Sequence, residues 1–190
     1  MTRTLCRPVF ILALTFFCFS LATPLIAAEV GKGKIPEDQL AKSYKKLDWG
    51  VAIWDTDEAV ANLQKGENTL WVDTRPESFF KKGTVNDAVL LIYNKKGMEE
   101  NTLTPESLEK ALADKGLAKD QATIVFFCQG PKCHRSYNAS FAAVTEWGYS
   151  PEQIVWNREG YPFLFKKVQE DAKLKRKAKR YISDAGVKQL

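Results

Sequence analysis

Histidine, cysteine, glycine and proline are all in short supply: the 190 residues hold one His, four Cys, 11 Gly and 8 Pro. So few cysteines exclude a small disulfide-built scaffold, and so little Gly and Pro excludes a collagen-like or low-complexity chain. No internal repeat is visible, and long apolar runs are confined to the N-terminus, which excludes a polytopic membrane protein. Aromatic residues, by contrast, are plentiful. Five Trp, six Tyr and 11 Phe supply a real core and exclude disorder as the main state. The length suits one domain, or one domain with an arm. Lys and Arg outnumber Asp and Glu by 28 to 23, a net +5 that hints at an anionic partner once its location is known.

The N-terminus reads as a targeting segment. Arg3 and Arg7 form a basic start, residues 8–28 carry no charge and are rich in Phe, Leu and Ile, and Ala27-Ala28 close the run before Glu29. These are the parts of a secretory signal peptide over residues 1–28, cut after Ala28, which predicts a periplasmic or secreted protein. The alternative is an uncleaved anchor, since about 20 apolar residues span a bilayer. With 1–28 removed, 26 bases face 23 acids, a net +3, and Cys6 and Cys18 are gone. Cys128 and Cys133 alone remain, in a compartment that tolerates disulfides.

Residues 29–49 form a polar lead-in in which Leu40, Tyr44 and Leu47 recur at helical spacing. Strands are then expected at 51–54, 70–73, 88–93, 122–127 and 153–156, the 88–93 run being continuously apolar as in a strand covered on both faces. Between them, Thr56 is expected to cap a helix carrying Val60 and Leu63 that stops at Gly66, and Thr104-Pro105 opens a second with a capping residue and Pro at its first position. Tyr137, Phe141 and Val144 mark a third helix, and 162–168 begins a terminal one. This alternation predicts an open parallel α/β sheet of about five strands with helices on both faces.

Sites in such sheets form at the carboxyl ends of strands, where Cys128 sits. The loop Cys128-Gln129-Gly130-Pro131-Lys132-Cys133-His134-Arg135-Ser136 leads into a helix. Gly130 lets the backbone curl so that N–H groups cradle an anion, the helix start adds its dipole, and Lys132 and Arg135 add charge. All of these favour a reactive thiolate on Cys128. The blander reading is a buried strand-end cysteine without a task.

Several segments resemble the rhodanese-like sulfurtransferase family. Leu70-Trp71-Val72-Asp73-Thr74-Arg75-Pro76-Glu77-Ser78-Phe79 with Gly83 and Ala88 is similar to that family's opening. Val125-Phe126-Phe127-Cys128 with Arg135-Ser136 is similar to its active strand and loop, and Gly148-Tyr149, Val155 and Gly160 to its closing segment. The resemblance spans about residues 50–168, leaving 169–190 as a basic helix or tail. It implies that Cys128 carries a persulfide between donor and acceptor, and that Arg135 binds the anionic donor. By the same resemblance the Gln129–His134 backbone, with Lys132 and Ser136, lines the pocket, while Asp73 and Arg75 form a structural ion pair beside it. Thiosulfate or another sulfane-sulfur anion is the implied donor and a thiol or protein the acceptor.

The chain departs from the family in its loop. Arg135 stands seven positions after Cys128 rather than five, and Gly83-Thr84-Val85 replaces Gly-His-Ile. The related phosphatase pattern wants Arg where His134 stands. Cys133 is an extra thiol: it either resolves Cys128 by forming a disulfide or packs at the helix start. His134 either assists Cys128 or is an exposed first-turn residue. Two Cys and one His fall short of a four-ligand zinc site, so no metal or other cofactor is expected. The eight bases between Lys166 and Arg180 suit a solvated helix or an arm for an acidic partner. Nucleic acid is not an expected partner, and membrane contact requires an uncleaved signal. Three functions follow: a sulfurtransferase, a non-enzymatic sulfur or redox carrier docking on a periplasmic protein, and an anion-binding module without turnover.

Overall fold

The computed structural model describes residues 35–94 and 101–183; the expected signal segment lies outside them. Five parallel strands form one open sheet: β1 (Ala52–Trp54), β2 (Thr69–Asp73), β4 (Val89–Leu90), β5 (Thr123–Phe127) and β6 (Ile154–Asn157), in the order β1-β6-β5-β2-β4. A separate antiparallel pair joins β3 (Thr84–Val85) to β7 (Ile182–Ser183). The helices are α1 (Glu37–Leu40), α2 (Thr56–Lys65), α3 (Glu77–Phe80), α4 (Pro105–Asp114), α5 (His134–Thr145), α6 (Gly160–Glu170) and α7 (Ala172–Lys175).

Pleating divides each central strand between two cores. Leu70 and Val72, Ile124 and Phe126, and Ile154 and Trp156 face α4, α5 and the lead-in. Trp71, Val125 with Phe127, and Val155 face α2 and α6. Two covered faces explain why these strands read as continuous apolar runs. The 88–93 run is the exception. Only Val89 and Leu90 are strand, both half-buried, because β4 is the sheet edge and pairs with β2 alone.

Helix ends follow the local chemistry. Thr104 caps α4, accepting from the Ser107 N–H, with Pro105 at the first helical position. In α2 the cap is Asp55 rather than Thr56: its N–H donates to Glu58 Oε2 at 3.1 Å in a capping box. Thr56 becomes the first helical residue, and its N–H and hydroxyl both donate to Glu159 Oε2.

The lead-in is helical only over Glu37–Leu40, not through Tyr44 and Leu47. The Arg158 guanidinium takes the carbonyls of Gln39, Ala41 and Tyr44, turning that stretch of backbone toward itself. At the other end, residues 171–183 stay on the body; 184–190 of the expected tail lie outside the described residues. Tyr181 and Ile182 are buried and β7 returns beside β3, so the basic segment folds back and lines a cleft of about 620 Å³ with Phe165 and Ile182. Among the described residues no helix is long and apolar enough to cross a membrane.

Candidate functional site

Central strand β5 delivers Cys128 to the carboxyl edge of the sheet, 1% exposed. The chain then turns sharply: Gly130 sits at φ +151°, and its carbonyl accepts the Cys133 N–H at 2.9 Å, leaving Pro131 and Lys132 at the tip. Positive φ of this kind suits glycine alone. The turn brings the Cα atoms of Cys128 and Cys133 to 6.1 Å, and the two sulfurs are joined as a disulfide. Cys133 is the N-cap of the 12-residue α5, so both sulfurs lie where the unpaired N–H groups of a helix start favour negative charge.

Two buried arginines hold this edge together. Arg75 donates to both Asp73 oxygens, with Nη2–Oδ2 at 2.6 Å, while Thr84 Oγ1 donates to the same carboxylate at 2.8 Å. Its other bonds reach the Gly83 carbonyl (2.7 Å) and Gln129 Oε1 in the cysteine loop (3.1 Å), and it lies over the Tyr161 ring at 4.7 Å. Asp73 and Arg75 thus tie the loops after β2 and β5 to the start of α6. Burial pushes the Tyr161 phenol up to about 12, so it stays protonated.

Arg158 forms the second anchor, 1% exposed, its Nε and Nη2 on the Asp55 carboxylate at 2.9 and 2.6 Å. Burial pushes Asp55 upward, but hydrogen bonds and attraction from Arg158 and Lys45 outweigh it and hold the carboxyl below its ordinary value. Glu159 behaves alike: burial raises it, while bonds from Thr56 and Lys42 bring it below the usual range.

Glycine 160 fits α6 against the loop. The Tyr161 N–H donates to the Cys128 carbonyl at 2.9 Å, and a Cβ on Gly160 would lie 2.3 Å from that same oxygen. Gly66 has nearly the same φ (+70° against +69°) but open space around it. Gly160→Ala is therefore expected to cost at least about 3 kcal/mol, from left-handed strain plus overpacking, against about 1–2 kcal/mol for Gly66→Ala. Urea unfolding of the two variants measures the difference.

A cavity of about 440 Å³ opens beside the loop, lined by Leu40, Gln129, Gly130, Pro131, Lys132 and Cys133. Of the expected site residues, Cys128, Gln129, Gly130, Lys132 and Cys133 gather here, with Asp73 and Arg75 braced behind Gln129. Arg135 Nη1 donates to the Tyr93 carbonyl at 3.1 Å, linking α5 to the segment after β4. Ser136 is buried and accepts from Trp156 Nε1 at 3.2 Å, so its hydroxyl serves the core. His134 occupies the first turn of α5, half-buried. Nothing local in the sequence marks Gln39 or Asp55, or Leu40 beyond its helical spacing: Gln39 meets Tyr137 and Asp55 meets Arg158 at separations of 98 and 103. Among the described residues no group of three or more metal-type side chains assembles.

The fold and the site thus define the class: an open parallel α/β sheet whose central strand ends in a cysteine loop that feeds a helix at the carboxyl edge. The chain belongs to the rhodanese-like domain family, whose model matches residues 55–162. No curated protein matches it. Among solved structures it is similar to the BH2092 protein of Bacillus halodurans, at 19% identity over 60% of this chain and 71% of that one, with a TM-score of 0.46. It is also similar to a rhodanese-like domain from Anabaena, at 16% identity over 60% and 73% of the chains, TM-score 0.42. A third is a Saccharomyces cerevisiae homolog of single-domain rhodanese and of a phosphatase catalytic domain, at 15% identity over 70% and 87%, TM-score 0.46.

Proposed function

We propose that this protein is an exported sulfurtransferase that carries sulfane sulfur as a persulfide on Cys128, with Cys133 as a second thiol that resolves the persulfide when no acceptor takes it. The observation that supports this best is the cysteine pair itself. A buried thiol ends the central strand at a helix N-terminus, and a second thiol stands within bonding distance of it. In the reduced protein the Cys128 thiolate attacks the outer sulfur of a sulfane donor; with thiosulfate, the sulfur–sulfur bond breaks and sulfite leaves. The terminal sulfur on Cys128 then passes to an acceptor nucleophile, which regenerates the thiolate. Alternatively, the Cys133 thiolate attacks Cys128 Sγ and expels hydrosulfide: the sulfane sulfur gains two electrons and the two thiols become the disulfide. The donor anion is held by the loop N–H groups, Lys132 and the α5 dipole. The acceptor is a thiol or a periplasmic protein.

Cys133→Ala separates the two exits. The variant is expected to keep transfer from thiosulfate or an organic persulfide to cyanide, within about threefold, because Cys128 remains as the nucleophile. Single-turnover release of hydrogen sulfide without added acceptor should disappear. Thiocyanate and sulfide assays on the reduced protein check both. The disulfide also favours a second reading, a non-enzymatic redox carrier that cycles between disulfide and dithiol. That carrier would exchange with dithiols but show no repeated transfer of sulfur.

A further inference from the structure

The two halves of the disulfide are unequally exposed. Cys128 is 1% exposed, whereas Cys133 is half-buried and forms part of the cavity wall. Thiol–disulfide exchange requires the incoming thiolate to reach the sulfur it attacks, and it runs faster when the departing sulfur is the better-stabilised thiolate. Here access selects the direction: attack falls on the more exposed Cys133 and Cys128 departs, while the start of α5 lies beside both sulfurs and favours neither over the other.

The cavity that gives this access has an apolar side contributed from outside the matched family region. Leu40 belongs to the lead-in, before residue 55, and faces the cavity together with Pro131. Its position is fixed from the neighbouring residue. Gln39 is 1% exposed, accepts from Tyr137 Oη at 2.7 Å, donates to Asp48 at 3.0 Å, and offers its carbonyl to Arg158. A small polar thiol gains nothing from such a wall. A protein cysteine with an apolar neighbour buries that neighbour against Leu40 and Pro131 while its sulfur meets Cys133.

We propose that Cys133 is the entry point for a protein dithiol that reduces this disulfide, and that the Leu40–Pro131 wall seats an apolar side chain flanking the partner's attacking cysteine. This rests on the sulfur-transfer reading, because reduction frees Cys128 for the next sulfur. The partner's thiolate bonds to Cys133 Sγ as the Cys128–Cys133 bond breaks, and the electron pair leaves on Cys128. The partner's second thiolate then attacks its own sulfur in the mixed disulfide, its proton passing to the released Cys133. The partner leaves as a disulfide, two electrons poorer.

Two short peptides serve as probes of the full-length oxidised protein: one with a single cysteine preceded by Leu, the other with the same cysteine preceded by Ser. The Leu peptide is expected to reduce the disulfide roughly tenfold faster, the scale of burying one aliphatic side chain. In Leu40→Ser the two rates should come within about twofold, since the leucine's share of the apolar wall is gone and Pro131 alone remains. Rapid alkylation followed by trypsin, which cuts after Lys132, places the two cysteines in different fragments. The peptide should be found on Cys133 and the alkyl group on Cys128. An adduct on Cys128, or equal rates for both peptides in the unsubstituted protein, overturns the proposal. The adduct assay reads the unsubstituted fold, so a misfolded Leu40 variant does not obscure it. No sulfur donor is present, so failure here is distinct from failure of sulfur transfer itself.

Discussion

Cys128→Ala is expected to abolish sulfur transfer, by at least about a thousandfold, because it removes the only atom proposed to bond the sulfur in flight. A structural role for the residue predicts something different. Losing the disulfide from a ring spanning Cys128 to Cys133 costs on the order of 2 kcal/mol of chain-entropy stabilisation, and Cys133→Ala loses that same bond. If activity depended only on the cross-link, the two variants would be equally impaired. The account expects them to diverge: Cys133→Ala still forms thiocyanate and Cys128→Ala does not. Steady-state thiocyanate formation by both variants, with urea unfolding as the fold control, makes the comparison.

Arg158→Met is expected to destabilise the protein by about 3–5 kcal/mol, the range for removing one partner of a buried ion pair. The Asp55 carboxylate loses its main counter-charge, and the carbonyls of Gln39, Ala41 and Tyr44 lose a shared donor. The pH dependence gives the effect a signature. Asp55 is held below its ordinary pKa in the folded state, so it contributes stability above about pH 4, the unfolded carboxylate value, and that contribution is lost as pH falls through the depressed value. In Arg158→Met the carboxyl is buried with less compensation, and protonation relieves it. The stability gap between the two proteins should therefore be widest near neutral pH and narrow below about pH 4. Urea midpoints across that interval measure it; a constant gap would mean that Arg158 acts by packing alone.

The sheet was largely legible because its strands are covered on both faces. Residues 122–127 and 70–73 are apolar at nearly every position, and alternate side chains of β5 and β2 do enter separate cores. The cysteine loop was legible for a related reason: such a strand must end at the sheet's carboxyl edge, and a loop with Gly130 and two bases follows at once. Ala88 to Tyr93 misled because apolar composition does not reveal a sheet edge, where only Val89 and Leu90 are in strand register with β2. The lead-in misled for a different reason. Its helical spacing is real, but Arg158 takes carbonyls over sequence separations of 114 to 119 that no local pattern encodes. The same remoteness hid Leu40, which reaches the cavity only because Gln39 is buried beside Tyr137. For Cys133, the sequence left a redox role and a packing role both open; the turn from Gly130 brings it onto Cys128.

The most direct test is the mass of Cys128 after sulfur loading. The reduced Cys133→Ala protein, in which the persulfide cannot be expelled internally, is treated with thiosulfate or an organic persulfide and digested with trypsin. The account predicts that the fragment ending at Lys132 gains the mass of one sulfur atom, and that cyanide removes it as thiocyanate. A fragment that stays unmodified with both donors, in a protein whose Cys128 still alkylates freely, would contradict it.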